Sequence, residues 1–173
     1  MEEKRKTIES LCSFYVSDWH MVTMLLPYIN AQVNENIKIA TIFEKEIETK
    51  LIELLEKLNL KNKEEIKKIN WKIKNGYKYE EVSKILSEQL REKQIILISG
   101  TKDFLDKTNQ NIQKWYSKQK EAKIKIINCY EVTDFNYNLK EILDSHDRIL
   151  NTSGEKEICE IFDGYKKEIK EAN

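Results

Sequence analysis

Short apolar runs alternate with amphipathic helical stretches along most of this chain, and no other feature limits its fold so tightly. That alternation is the mark of an α/β fold with a mostly parallel sheet. The first run, Leu11 to Val16, ends at Ser17 and Asp18, both good helix N-caps. Val22, Leu25, Leu26, Ile29 and Val33 then repeat at helical spacing, with Pro27 removing one backbone hydrogen bond among them. Ile37 to Phe43 reads as a second strand, and Thr49 opens a helix carrying Leu51, Leu54, Leu55 and Leu58. Ile69, Trp71 and Ile73 alternate with polar residues, which predicts a half-exposed strand near a sheet edge. Gly76 marks a turn, and Val82, Ile85, Leu86 and Leu90 mark the next helix.

Ile95 to Ile98 is a continuous β-favouring run, the pattern of a central strand buried on both faces. A long helix from Phe104 to Tyr116, a strand from Ile124 to Tyr130 and a short helix at Leu139, Ile142 and Leu143 follow. Arg148 to Leu150 reads as a last short strand, and Thr152 with Glu155 has the spacing of a capping box. Behind it, Ile158, Ile161, Phe162, Tyr165 and Ile169 stripe a terminal helix. The expected architecture is three-layer α/β, with a mostly parallel sheet of about five strands and helices on both faces. With 173 residues, one proline and four glycines, the chain reads as a single domain over residues 1–173 with no dividing linker.

Composition excludes several classes of function. Lysine plus arginine equals aspartate plus glutamate at 30 each, so the basic footprint of a nucleic-acid-binding protein is missing. No apolar run has the length of a membrane span. Cys12, Cys129 and Cys159 are odd in number and widely spaced, which fits reduced thiols in a cytoplasmic protein. Neither G-x-x-x-x-G-K-[ST] nor G-x-G-x-x-G is present. The nearest anion-binding candidate is Ser99-Gly100-Thr101-Lys102, a strand end entering a helix, and an ordinary turn that needs glycine explains it more simply.

Open parallel sheets bind ligands beyond the carboxyl ends of their strands. Four such ends can be named: Tyr15 to Asp18, Glu44, Ser99 to Asp103, and Tyr130 to Asp134. The residues expected to bind a ligand there are Tyr15, Asp18, Trp19, His20, Glu44, Ser99, Lys102, Tyr130 and Glu131. Trp19 belongs either to an apolar pocket mouth or to ordinary packing. His146 fits a helix C-terminus, where a protonated imidazole is favourable. Cys12 and Cys129 fall within strands, as small core residues do. No metal spacing, cofactor motif or nucleophile–base pair emerges, so no cofactor, metal or catalysis is expected.

Several of these segments together resemble the MEDS domain family, the methanogen/methylotroph sensory domain of DcmR-type regulators. Ser10-Leu11-Cys12-Ser13-Phe14-Tyr15 is similar to the family's H-I-C-x-F-Y strand, and Leu25-Leu26-Pro27-Tyr28-Ile29 to its L-x-P-[FY]-[IF] helix. Gly76-Tyr77-Lys78-Tyr79 resembles its glycine-aromatic step, and Ile98-Ser99-Gly100 its later strand end. Cys129-Tyr130-Glu131, and the helix from Leu139 to His146, resemble its C-terminal motifs. Ser10 stands where the family usually has histidine, and no kinase or helix-turn-helix segment accompanies these motifs. The resemblance implies a RecA-like lineage without the phosphate loop and a stand-alone sensory or regulatory role. It implies a small-molecule ligand and a protein partner, a histidine kinase or transcription regulator. Nucleic acid and membrane are not among the expected partners, and a homodimer is left open. Two rival readings are an assembly module docking through the Trp71 edge or the terminal helix, and a degenerate nucleotide-binding protein.

Overall fold

In the computed structural model, residues 6–35, 37–88, 93–132 and 139–167 are described. Six strands form one sheet in the order β2-β3-β4-β1-β5-β6. They are β1 (Lys6–Tyr15), β2 (Lys38–Phe43), β3 (Gln94–Ser99), β4 (Ala122–Glu131), β5 (Arg148–Asn151) and β6 (Gly154–Lys156). Every pairing is parallel except the β5–β6 hairpin. The helices are α1 (Asp18–Asn34), α2 (Glu48–Lys57), α3 (Lys63–Lys67), α4 (Tyr79–Ser87), α5 (Lys102–Ser117), α6 (Leu139–Asp144) and α7 (Ile158–Ile161).

Side-chain alternation divides the core into two layers, because successive strand residues point to opposite faces. Ile95 and Leu97 of β3, with Ile127 and Cys129 of β4, pack under α1, α2 and α3. Ile96 and Ile98, with Ile126 and Tyr130, pack under α4, α5 and α6. All six residues of β3 are buried, which is why its sequence is an unbroken apolar run. Each such Ile or Leu contributes about 1.5–3 kcal/mol by leaving water.

Three sequence expectations are corrected. First, Ile69 to Ile73 is not a strand. Trp71 is a buried plug on Phe43, with ring centroids 6.0 Å apart, and its indole N–H donates to the Ile66 carbonyl at 2.9 Å. Second, Thr152 and Glu155 cap no helix; Thr152 and Ser153 turn the β5–β6 hairpin, and Glu155 lies on β6. Third, the C-terminal helix is only Ile158–Ile161 within the described residues, and Ile169 lies outside them, as do Leu90 and Asp134. β1 also begins five residues before the expected Leu11, since its amino half pairs with Ala122 to Ile126 of β4. Pro27 lies inside α1 on its exposed side, where the carbonyl it leaves without an N–H partner can meet water.

Candidate functional site

The chain leaves β1 and β2 toward the α1–α2 face, and leaves β3 and β4 toward the α5–α6 face. These four strands are neighbours, so their carboxyl ends border one crevice, the place where open α/β sheets bind ligands. Tyr15, Asp18, Phe43, Ser99, Thr101 and Glu131 border it. The hydroxyls of Tyr15 and Ser99 lie 3.3 Å apart at its base, and burial pushes the Tyr15 phenol up to about 12. Lys50 bridges to Asp18 at 2.9 Å. The cavity left between these groups is about 20 Å³, roughly the room of a single water.

Thr101 opens α5 as a conventional N-cap, its hydroxyl accepting from the Phe104 N–H at 3.2 Å. The Glu44 carboxylate accepts from the Thr101 N–H at 2.9 Å. Two amides that an anion could use here, those of Thr101 and Phe104, are already occupied by the protein's own oxygens. Gly100 has a steric role: a Cβ on it would stand 2.6 Å from Phe104 Cδ1 and 2.8 Å from Glu44 Oε1.

Trp19 and His20 do not line the crevice. His20 Nδ1 accepts from the Val16 N–H at 3.0 Å, which ties the ring to the start of its own helix. Trp19 is 42% exposed on the first turn of α1. Val16 and Tyr77 are exposed at the same end of the sheet, at 62% and 45%. Tyr77 is held there by a hydrogen bond from its hydroxyl to Asp103 at 3.2 Å and an edge-to-face contact with Phe104. Sequence reasoning did not choose Tyr77 as a site residue, although the Gly76-Tyr77 step drew notice as a motif.

Lys102 and Tyr130 turn to the opposite side and line a cleft of about 770 Å³ between α5 and α6. Among the described residues, α6 covers only part of this face. The six residues of α6 span about 9 Å, whereas the ten-residue strands β1 and β4 run roughly 33 Å. At its centre is a chain of polar side chains. The His146 ring stands with Nδ1 2.6 Å from the Ile142 carbonyl, which requires that nitrogen to carry the proton. Its Nε2 then accepts from the Asn128 amide at 3.0 Å, and Asn128 Oδ1 accepts from Asn109 at 2.8 Å. Only 3% exposed, His146 has its pKa lowered by burial. His146 does end α6 as expected, and its Nδ1–H caps the Ile142 carbonyl, but as a buried neutral imidazole and not a protonated one.

A third hollow, about 850 Å³, runs along the outer edge of β2 beneath Lys74. The Lys74 ammonium donates to Thr41 Oγ1 at 2.8 Å and to the Asn70 carbonyl at 2.6 Å, and burial lowers its pKa to about 8. The edges of this sheet are β2 and β6, so the docking strand expected at Trp71 is absent from that position.

Burial raises the thiols of Cys12 and Cys129 to about 12, which keeps both protonated. Among the described residues, no three His, Cys, Asp or Glu side chains could hold a metal ion, and no helix is long and apolar enough to cross a membrane. Compared with known proteins, the chain matches no family model, no curated protein and no solved structure.

Proposed function

We propose that this chain is a non-catalytic sensory or regulatory domain that passes its signal by docking a partner protein at the carboxyl ends of its strands. One contrast supports the reading. The crevice at those ends has room for about one water, yet its rim presents Val16, Trp19 and Tyr77 to solvent. Aromatic side chains exposed beside a closed, internally hydrogen-bonded crevice suit a protein interface better than a pocket for a small molecule. The MEDS resemblance points the same way, toward a partner such as a histidine kinase or transcription regulator. The occupied amides at Thr101 weigh against the nucleotide-binding alternative.

Site-specific photo-crosslinking in the source cells tests the proposal. A crosslinking amino acid at Trp19 or Tyr77 should give one discrete heavier species, and the same group at Lys123, on the amino half of β4, should not. No adduct from either rim position, or the same adduct from Lys123, would exclude docking at this rim.

A further inference from the structure

We propose that the cleft between α5 and α6 binds a small organic cation, an amine or amidine carrying an apolar body. No part of the docking argument is needed for this site, which lies on one face of the sheet and not at the strand ends. At about 770 Å³, the cleft falls within the range of small-molecule pockets, which pair apolar walls with a few convergent polar groups. Ile8, Ile126 and Ile142 supply the apolar floor. Asn109, Asn128 and His146 form a fixed polar centre whose members hold one another in place. Gln110 and Gln113, one turn apart on α5, border the opening, and their carboxamides make no hydrogen bond among the described residues.

Charge selects the sign of the ligand. Among the described residues, the lining carries carboxylates on Asp106, Glu141 and Asp147 and an ammonium on Lys102; Glu141 is already engaged, which leaves Asp147 to set the sign. Asp106 already pairs with Lys102 at 2.9 Å. Asp147 accepts from the Ser10 N–H at 2.9 Å and makes no ion pair among the described residues. Lys167 reaches the His146 carbonyl at 3.4 Å but does not line the cleft. The imidazole at the centre is neutral, with its proton turned to Ile142, so it adds no positive charge. An anion would enter against this field, and a cation with N–H donors would find carboxylate and carboxamide oxygens to accept them.

The test is a titration of ¹⁵N-labelled full-length protein with benzamidine, followed at the backbone and side-chain amides in the NMR spectrum, with benzoate as the control of opposite charge. Saturable shifts of the Asn109, Asn128 and Gln113 amides with benzamidine, and none with benzoate, are expected. Gln113→Leu, at an exposed position that folding does not need, should weaken binding about 2- to 10-fold, the loss of one hydrogen bond. Asn128→Leu should abolish binding if it folds. The assignment is overturned by no saturable shift with benzamidine, by equal binding of benzoate, by shifts confined to the Trp19 and Tyr77 rim, or by Gln113→Leu binding as wild type.

Discussion

Replacing Glu155 by alanine should cost this fold about 3 kcal/mol, far more than its place on a three-residue edge strand suggests. Its carboxylate accepts from Lys125 at 2.9 and 3.1 Å, from Arg148 at 3.2 Å and from the Tyr28 hydroxyl at 3.0 Å. It thereby ties β6 to β4, β5 and α1. The Lys125 side chain is only 11% exposed, and without Glu155 its nearest anion is Glu9 at 4.0 Å. Breaking a buried pair by deleting one partner costs about 3–5 kcal/mol, because a charge is left stranded away from water. The lower end applies here, since Arg148 can still turn to Glu157, 3.4 Å from its Nε, and Glu9 compensates in part. For a chain of this size, 3 kcal/mol is about 6–12 °C in Tm. Urea unfolding of wild type, Glu155→Ala, and the double variant Lys125→Met with Glu155→Ala measures the effect. Removing the stranded ammonium should return a large part of the loss. A cost below about 1 kcal/mol, or a double variant no more stable than the single, would refute the argument. The margin also has a pH dependence of known sign. Burial pushes the Glu155 carboxyl up, but the hydrogen bonds from Lys125 and Tyr28 and the charges of Lys125 and Arg148 together outweigh it and hold the group below its ordinary value. The stabilisation is therefore complete above the ordinary carboxylate range and fades as pH falls through the lowered value.

Two further outcomes follow from the packing. Burial lowers the His146 pKa, so an unfolded chain takes up a proton near neutrality that the folded chain refuses. Stability should therefore fall as pH drops from about 7 to 5, with a slope of at most about 1.4 kcal/mol per pH unit. His146→Gln should flatten that slope, and an unchanged slope with His20 as the remaining histidine would contradict the assignment. A Cβ at Gly76 would overlap the buried hydroxyl of Thr108, so Gly76→Ala should destabilise by about 1–3 kcal/mol in chemical denaturation. Wild-type stability in that variant would mean that the turn before α4 does not press on α5 as described.

The parts of the fold legible in the sequence are those whose burial repeats locally. β3 and the core of β4 are covered on both faces, so they are written as continuous apolar runs, and α1 and α5 carry long helical stripes. β6 was not legible. Gly154, Glu155 and Lys156 have no strand pattern, and become a strand only by pairing with β5 across the Thr152–Ser153 turn. The same Thr-x-x-Glu spacing that can cap a helix here closes a hairpin, helped by Gly154 at φ +103°. The segment around Trp71 failed for the opposite reason. Ile69 and Trp71 do pack on the core, but Ile73 is exposed, and no neighbouring strand pairs with this segment.

The candidate site divides along similar lines. Sequence placed Tyr15, Asp18, Ser99 and Glu131 at strand ends, and the strand order brings them to one crevice. Glu44 joins them through the Thr101 N–H. Lys102 and Tyr130 belong instead to the α5–α6 cleft, since even-numbered β4 residues face α5 and only the sheet's pleat decides that. The Asn109–Asn128–His146 chain joins α5, β4 and the end of α6 across 37 residues, and no local pattern announces it.

The most direct test of the docking claim is a comparison of wild type with Trp19→Ala, measuring Tm and the rim crosslink from Tyr77 in the same preparations. A half-exposed side chain outside the core should shift Tm by no more than a few degrees on truncation, while the partner adduct is lost or sharply reduced. An unfolded Trp19→Ala chain would put the indole in the core, and an undiminished adduct would show that the aromatic rim is not where the partner docks.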